Sequence, residues 1–109
     1  MKNDFVQIFW TSESLNEARE IGRALVKKKL VACVNIIPKI ESIFFWNQQI
    51  EVTEETKVIF KTRALHFHAI KETILAQSKY QIPEILMVSI TDGNQDYLDW
   101  VAQNTVAVR

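Results

Sequence analysis

Residues 30 to 46 read LVACVNIIPKIESIFFW, and this stretch decides the fold. Valine, isoleucine and aromatic residues dominate it, and these side chains favour the extended backbone of a β-strand. Pro38 interrupts the run and fits a sheet edge or a bulge, because proline cannot donate a ladder hydrogen bond. We therefore predict a strand over Val31 to Trp46, a turn over Asn47-Gln48-Gln49 and a returning strand over Ile50 to Lys61, which together form one long hairpin.

The predicted hairpin is long for the domain that carries it. The sixteen residues of its first strand span roughly 50 Å at about 3.3 Å per residue, whereas a compact domain of about 100 residues is roughly 35 Å across. The tip, with Ile43, Phe44, Phe45 and Trp46, must therefore overhang the domain or bend sharply. An apolar overhang with free strand edges would aggregate, so we favour burial against other copies of the chain. The alternative is a sharp bend at Pro38 that folds the ribbon back over its own core.

The flanking residues predict two longer helices, two further strands and a short final helix. Ser14 with Glu17 has the form of a capping box, and Ser12 is the rival cap for the same helix. The predicted elements outside the hairpin are a strand over 5–10, helices over 15–26 and 64–78, a strand over 84–90 and a final helix over 96–102. This order predicts the α+β class: a ferredoxin-like βαββαβ arrangement with a short C-terminal helix, in which both long helices cover one face of an antiparallel sheet.

Length and composition limit the classes of partner. The 109 residues fit a single domain over 1–109, with no linker or repeat to divide it. Thirteen basic and thirteen acidic residues cancel, so the charge expected of a nucleic-acid binder or of a protein that binds anionic membranes is missing. No apolar run approaches the ~20 residues of a membrane span. One cysteine and the lack of a long apolar stretch after Met1 predict a cytoplasmic protein.

Few residues point to catalysis or to metal chemistry. The sequence lacks GxSxG, P-loop, GxGxxG, HExxH and CxxC motifs, so we expect no enzyme and assign no catalytic residue. His66 and His68 are two residues apart on a predicted helix and cannot chelate one ion as an i, i+4 pair would. Cys33 is expected to be a small buried hydrophobe, with a metal ligand or reactive thiol as the second interpretation. The hairpin carboxylates Glu51, Glu54 and Glu55 are expected to be solvated.

Four polar residues indicate a binding site. Asn35 lies inside an apolar strand, Lys61 ends a strand, and Tyr80 and Glu84 flank Pro83 before the last strand. Buried polar groups need partners, so these side chains could meet near the strand ends at a subunit boundary and form a small polar pocket. The alternative is that each of them satisfies local backbone or forms a surface ion pair.

Several blocks of the sequence resemble the CutA divalent-cation-tolerance family, in order and over nearly the whole chain from about Phe5 to Val101. The central block is Leu30-Val31-Ala32-Cys33-Val34-Asn35-Ile36-Ile37-Pro38, followed by Ser42-Ile43, Trp46 and Ile50-Glu51. The later blocks are Lys61-Thr62-Arg63, the stretch from Tyr80 to Ile85, and Tyr97-Leu98-Asp99-Trp100-Val101. The resemblance implies a homotrimer with hairpins packed between subunits, similar in architecture to the PII signalling proteins. It also implies a role in tolerance of divalent cations, especially copper, without an established reaction.

The chain departs from the family pattern where a metal ligand is expected. The family usually has His-Pro-Tyr-Glu before the last strand, and this chain has Ser78-Lys79-Tyr80-Gln81. A hydroxyl or an ammonium is a poor substitute for imidazole at Cu(II). Gln48 replaces the glycine of the hairpin tip. Cys33 therefore remains the predicted ligand for Cu(II) or another divalent cation, and Asn35, Lys61, Tyr80 and Glu84 are the predicted small-molecule site.

The resemblance leaves two functions open. The first is a homotrimeric divalent-cation-tolerance protein that responds to metal ions and binds copper. The alternative is a PII-like trimeric signalling or scaffold module that binds a small molecule or a partner protein and has no metal role.

Overall fold

The computed structural model describes residues 4–106 and contains a four-stranded antiparallel sheet with three α-helices. The elements are β1 Phe5–Ser12, α1 Leu15–Lys27, β2 Cys33–Trp46, β3 Gln49–Arg63, a 3₁₀ turn Ala64–His66, α2 Phe67–Gln77, β4 Ile85–Ser89 and α3 Gln95–Gln103. The strand order is β2-β3-β1-β4, with β1 paired to both β3 and β4. The predicted α+β class and ferredoxin-like βαββαβ order are confirmed. The predictions made for Met1, Lys2 and Asn3 lie outside the described residues.

The core lies between one face of the sheet and the helices α1 and α2. Alternate strand residues point to the same face, and the inward set of β1 and β3 is fully or almost fully buried: Val6, Ile8, Trp10, Val58 and Phe60. The helices supply Ala18, Ile21, Leu25, Ile70 and Ile74 to the same cluster. Trp10 stacks on Phe60 with 6.2 Å between ring centroids. Both long helices thus cover a single face, as the connection rules predict.

Hydrogen-bonded capping motifs fix both ends of α1. The Ser14 hydroxyl caps the helix by accepting from the Glu17 backbone N at 3.1 Å, and the Ser12 hydroxyl donates to the Glu17 carboxylate at 2.6 Å. Both candidate caps therefore contribute. At the other end Lys29 takes a left-handed φ of 63°, and the backbone N of Leu30 donates to the carbonyl of Leu25. This Schellman ending holds the chain before β2, so the strand starts at Cys33 and not at the predicted Val31.

The β2-β3 hairpin extends beyond the rest of the molecule. A bulge between Ile37 and Ile40, with Lys39 at a φ of 61°, confirms the irregularity predicted at Pro38. At the tip Asn47 and Gln48 both have positive φ, 51° and 64°, as a two-residue type I′ turn requires. The principal extents are 45 × 27 × 22 Å. The hairpin overhangs the domain and does not fold back over its own core.

The second face of the sheet is only partly covered within one chain. α3 lies against it at one end, where Tyr97 and Val101 approach Gln7 and Lys61. Farther along, apolar side chains of β2 and β4 remain half-exposed: Ile37 at 45%, Leu86 at 53% and Val88 at 42%. Within residues 4–106, none of the helices has the length and apolar character needed to cross a membrane.

Candidate functional site

A cleft of about 710 Å³ lies between the hairpin and the segment that leads from α2 to β4. The ladder pairs Ser42 with Thr53 and Phe44 with Glu51, so alternate residues of the two strands form one continuous wall. That wall also carries Trp46 and Glu55, and the opposite wall is formed by Lys79, Tyr80, Gln81, Ile82 and Glu84. The predicted binding residues Tyr80 and Glu84 therefore line one cavity.

Tyr80 and Glu55 form a buried polar pair in this cleft. The Tyr80 hydroxyl donates to the Glu55 carboxylate, which is only 9% exposed. Burial raises the pKa of Tyr80 above its ordinary value, and the hydrogen bond to Glu55 and the charges of Glu55, Glu13 and Glu17 raise it further. The potential at this hydroxyl is therefore negative. The expectation that Glu55 is solvated is wrong, because the chain between α2 and β4 covers it, whereas its neighbour Glu54 is exposed.

Glu84 joins the cleft to the second face of the sheet. Its carboxylate accepts from the Thr11 hydroxyl at 3.2 Å and lies 3.5 Å from the Lys57 ammonium. The same ammonium lies 4.7 Å from the centroid of the Phe9 ring. Lys57 is thus held between a carboxylate and an aromatic face, which fixes both the cation and Glu84.

Asn35 and Lys61 lie together at a different place. The Lys61 ammonium donates to the Asn35 side-chain oxygen, and both residues lie on the second face of the sheet. Lys61 is four residues beyond Lys57 on β3, about 13 Å at 3.3 Å per residue. One chain therefore brings the four predicted binding residues together as two pairs, Asn35 with Lys61 and Tyr80 with Glu84. A single pocket lined by all four stays a prediction.

Cys33, the predicted metal ligand, lies at the start of the edge strand β2 and opposite Lys61 in the ladder. It is partly exposed, and the Tyr97 hydroxyl donates to its sulfur. Burial raises the pKa of Tyr97, and the neighbouring thiol raises it further. His66 is buried and donates to the Thr105 carbonyl, whereas His68 is exposed. Across residues 4–106 no group of three or more His, Cys, Asp or Glu side chains is arranged to hold a metal ion.

Comparison with known proteins identifies the family. The family model described as CutA1 divalent ion tolerance protein matches residues 6–104. The chain belongs to this family. It is 40% identical to the divalent-cation tolerance protein CutA of Thermus thermophilus over 95 residues, which cover 87% of this chain and 92% of that protein. It is 38% identical to protein CutA of Mus musculus over 100 residues, which cover 92% of this chain but 56% of the mouse protein.

Solved CutA1 structures share the whole fold. The structure of CutA1 from Shewanella sp. SIB1 has a TM-score of 0.92 and 31% identity, covering 98% of this chain and 100% of that one. CutA1 from Oryza sativa has a TM-score of 0.90 and 30% identity, covering 94% of each chain. The long hairpin and the sheet that carries it are therefore features shared with CutA1 structures.

The cleft contains residues that reasoning from the sequence did not assign to it. Phe44, Trp46, Glu51 and Glu55 all line it. Their alternation along the two hairpin strands was a usable signal, because residues two apart share a face. The missing information was which segment faces that wall, and this depends on how the chain returns from α2 to β4.

Proposed function

We propose that this member of the CutA1 family is a homotrimeric divalent-cation tolerance protein that acts by binding and not by catalysis. The observation that carries this proposal is the exposed apolar stripe on the outer face of the hairpin. In the ladder Ile43 faces Val52 and Phe45 faces Ile50, so the four side chains form one contiguous surface. Their exposed fractions are 68%, 56%, 69% and 72%. A contiguous exposed apolar surface of this kind is typical of an interface between proteins.

Further copies of the chain are the partners that this surface fits. The hairpin projects from a molecule 45 Å long, so it can reach across a neighbouring subunit. The half-exposed residues Ile37, Leu86 and Val88 on the second sheet face supply a second apolar surface. Three copies follow from the family resemblance, and a closed assembly of this kind would bury both surfaces.

Cys33 is the residue that we propose as a ligand for Cu(II) or another divalent cation. A thiolate suits Zn(II) and Cu(I), and it binds Cu(II) beside imidazole ligands; the partly exposed sulfur lies on an edge strand, where a neighbouring copy would supply the remaining ligands. A single cysteine also supports a reducing compartment, so a cytoplasmic location is part of the proposal.

A copper titration tests the metal role. We expect the wild-type protein to bind Cu(II) in isothermal titration calorimetry, and we expect Cys33→Ser to lose most of that heat. His68→Ala is the matched control, because His68 is an exposed potential ligand on α2, far along the chain from Cys33. Equal binding by Cys33→Ser and wild type, or no binding by wild type, would contradict the metal assignment.

A second candidate function, a PII-like module that binds a small molecule, is favoured by the cleft itself. Its volume of about 710 Å³ lies within the range of small-molecule sites, about 300–1,000 Å³. Tyr80 and Glu84 line it, as the sequence predicted for a ligand site.

A further inference from the structure

The cleft between the hairpin and residues 79–84 has one apolar side. Phe44 and Trp46 lie two residues apart on β2 and present their side chains to the cavity. Ile82 adds further apolar surface at its edge. Phe44 is 40% exposed and Trp46 is 36% exposed, so both rings can still cover a ligand. This side suits an apolar or aromatic group of moderate size.

The remaining side of the cleft is acidic. Three carboxylates line it, those of Glu51, Glu55 and Glu84, against the single ammonium of Lys79, so the lining has a formal charge of −2 (three negative, one positive). The charge of Glu84 is partly neutralised by the Lys57 ammonium. The partner of Glu55 in the lining is the neutral hydroxyl of Tyr80, which does not compensate its charge. A cation that enters the cleft would therefore meet a net attraction near Glu51 and Glu55.

The geometry of these groups favours an organic cation over a bare metal ion. Across the described part of the chain, no three acidic, histidine or cysteine side chains are placed to hold one ion, so the cleft carboxylates are dispersed along its walls. Dispersed carboxylates match a ligand with several N–H donors.

We propose that this cleft binds a small organic cation, an ammonium or a guanidinium carried on an apolar or aromatic stem. The stem lies against Phe44 and Trp46, and the cationic head donates to Glu55 and Glu51. A cation beside an indole face gains a further electrostatic attraction. The inference rests on the second candidate function, because it names the ligand class for that cleft.

The test compares a cation with its neutral analogue on the wild-type protein. We would titrate 2-phenylethylammonium and 2-phenylethanol and follow the heat of binding together with tryptophan fluorescence. The ammonium is expected to bind with a dissociation constant of about 1 mM or tighter. The alcohol is expected to bind at least about tenfold more weakly, because its single neutral O–H donor replaces a charged group with three N–H donors. Equal affinity for the two compounds, or no binding of the ammonium, would overturn the proposal.

Two variants with the same change of charge locate the site. Glu55→Gln keeps an oxygen for the Tyr80 hydroxyl and removes one of the three negative charges of the lining, so it should weaken binding of the ammonium about tenfold. Glu54→Gln is the control, because Glu54 is the adjacent residue in sequence, is exposed and does not line the cleft. Weakening by Glu54→Gln as large as by Glu55→Gln would refute the assignment to this cleft.

The subunit mass and the copper titration are separate measurements on the same samples. A trimer that binds copper and ignores the ammonium would overturn this inference alone. A chain that binds the ammonium without assembling or binding copper would support it and overturn the proposed function.

Discussion

Replacing Phe45 by alanine should weaken the assembly while leaving the single chain folded. Phe45 is 69% exposed in one chain, so burial of the hairpin stripe would cover roughly 140 Å² of a ring that presents about 200 Å². At about 25 cal/mol per Å², and with part of that area kept by alanine, the loss is about 2 to 3 kcal/mol per subunit. For three subunits that act together, the concentration at half dissociation should rise about 100- to 1,000-fold.

The assay is sedimentation velocity over a dilution series from micromolar to nanomolar protein, with subunit exchange between isotope-labelled samples as a second readout. The free energy of unfolding of the separated chain should change by less than about 0.5 kcal/mol, because the ring is exposed there. Leu75→Ala is the control, since Leu75 is 46% exposed on α2 and lies outside the stripe. A Phe45→Ala protein that dissociates and exchanges like wild type would refute the reasoning.

Three further predictions concern single residues. Ile50→Ala should weaken the assembly, since Ile50 is 72% exposed on the apolar stripe and its burial between copies would contribute roughly 1 to 2 kcal/mol; an unchanged mass in native mass spectrometry at low protein concentration would contradict this. Lys29→Gly should raise the free energy of unfolding in urea by about 1 kcal/mol, because glycine accepts the φ of 63° without strain. Lys28→Gly, at a φ of −81°, should lower it instead, and a decrease for both would argue against a left-handed Lys29. Burial lowers the pKa of His66, so the unfolded chain binds a proton at a higher pH than the folded chain does. The free energy of unfolding therefore decreases as the pH falls below about 6.5. His66→Gln should make the urea midpoint less dependent on pH between about pH 7 and 5. If the midpoints of the two proteins changed equally with pH, another group would be responsible.

The order of elements was predictable because local signals dominate it. The alternation in β1 and β3, the Ser14 cap and the spacing in α1 all indicate the observed structure. The predicted boundaries of the elements were wrong where tertiary hydrogen bonds determine the end of an element. The predicted strand began at Val31, but the backbone N groups of Leu30 and Val31 both donate to the carbonyl of Leu25 at the end of α1, so the strand starts at Cys33.

The candidate site was predictable in part. Tyr80 and Glu84 stood out because polar residues beside Pro83 interrupt an apolar pattern, and both line the cleft. Glu55 did not stand out, because its burial depends on a segment about 25 residues away in sequence that folds over it. Asn35 and Lys61 contact each other across adjacent strands, and no periodic pattern in the sequence shows that Glu84 lies at a different place.

Native mass spectrometry of the wild-type protein, with and without Cu(II), tests the central claim most directly. The account predicts a mass of about 38 kDa, three times the 12.7 kDa of the chain, and a shift by the mass of bound copper when the metal is present. A species of 12.7 kDa at micromolar concentration would contradict the account, because the apolar stripe of the hairpin would then remain in water.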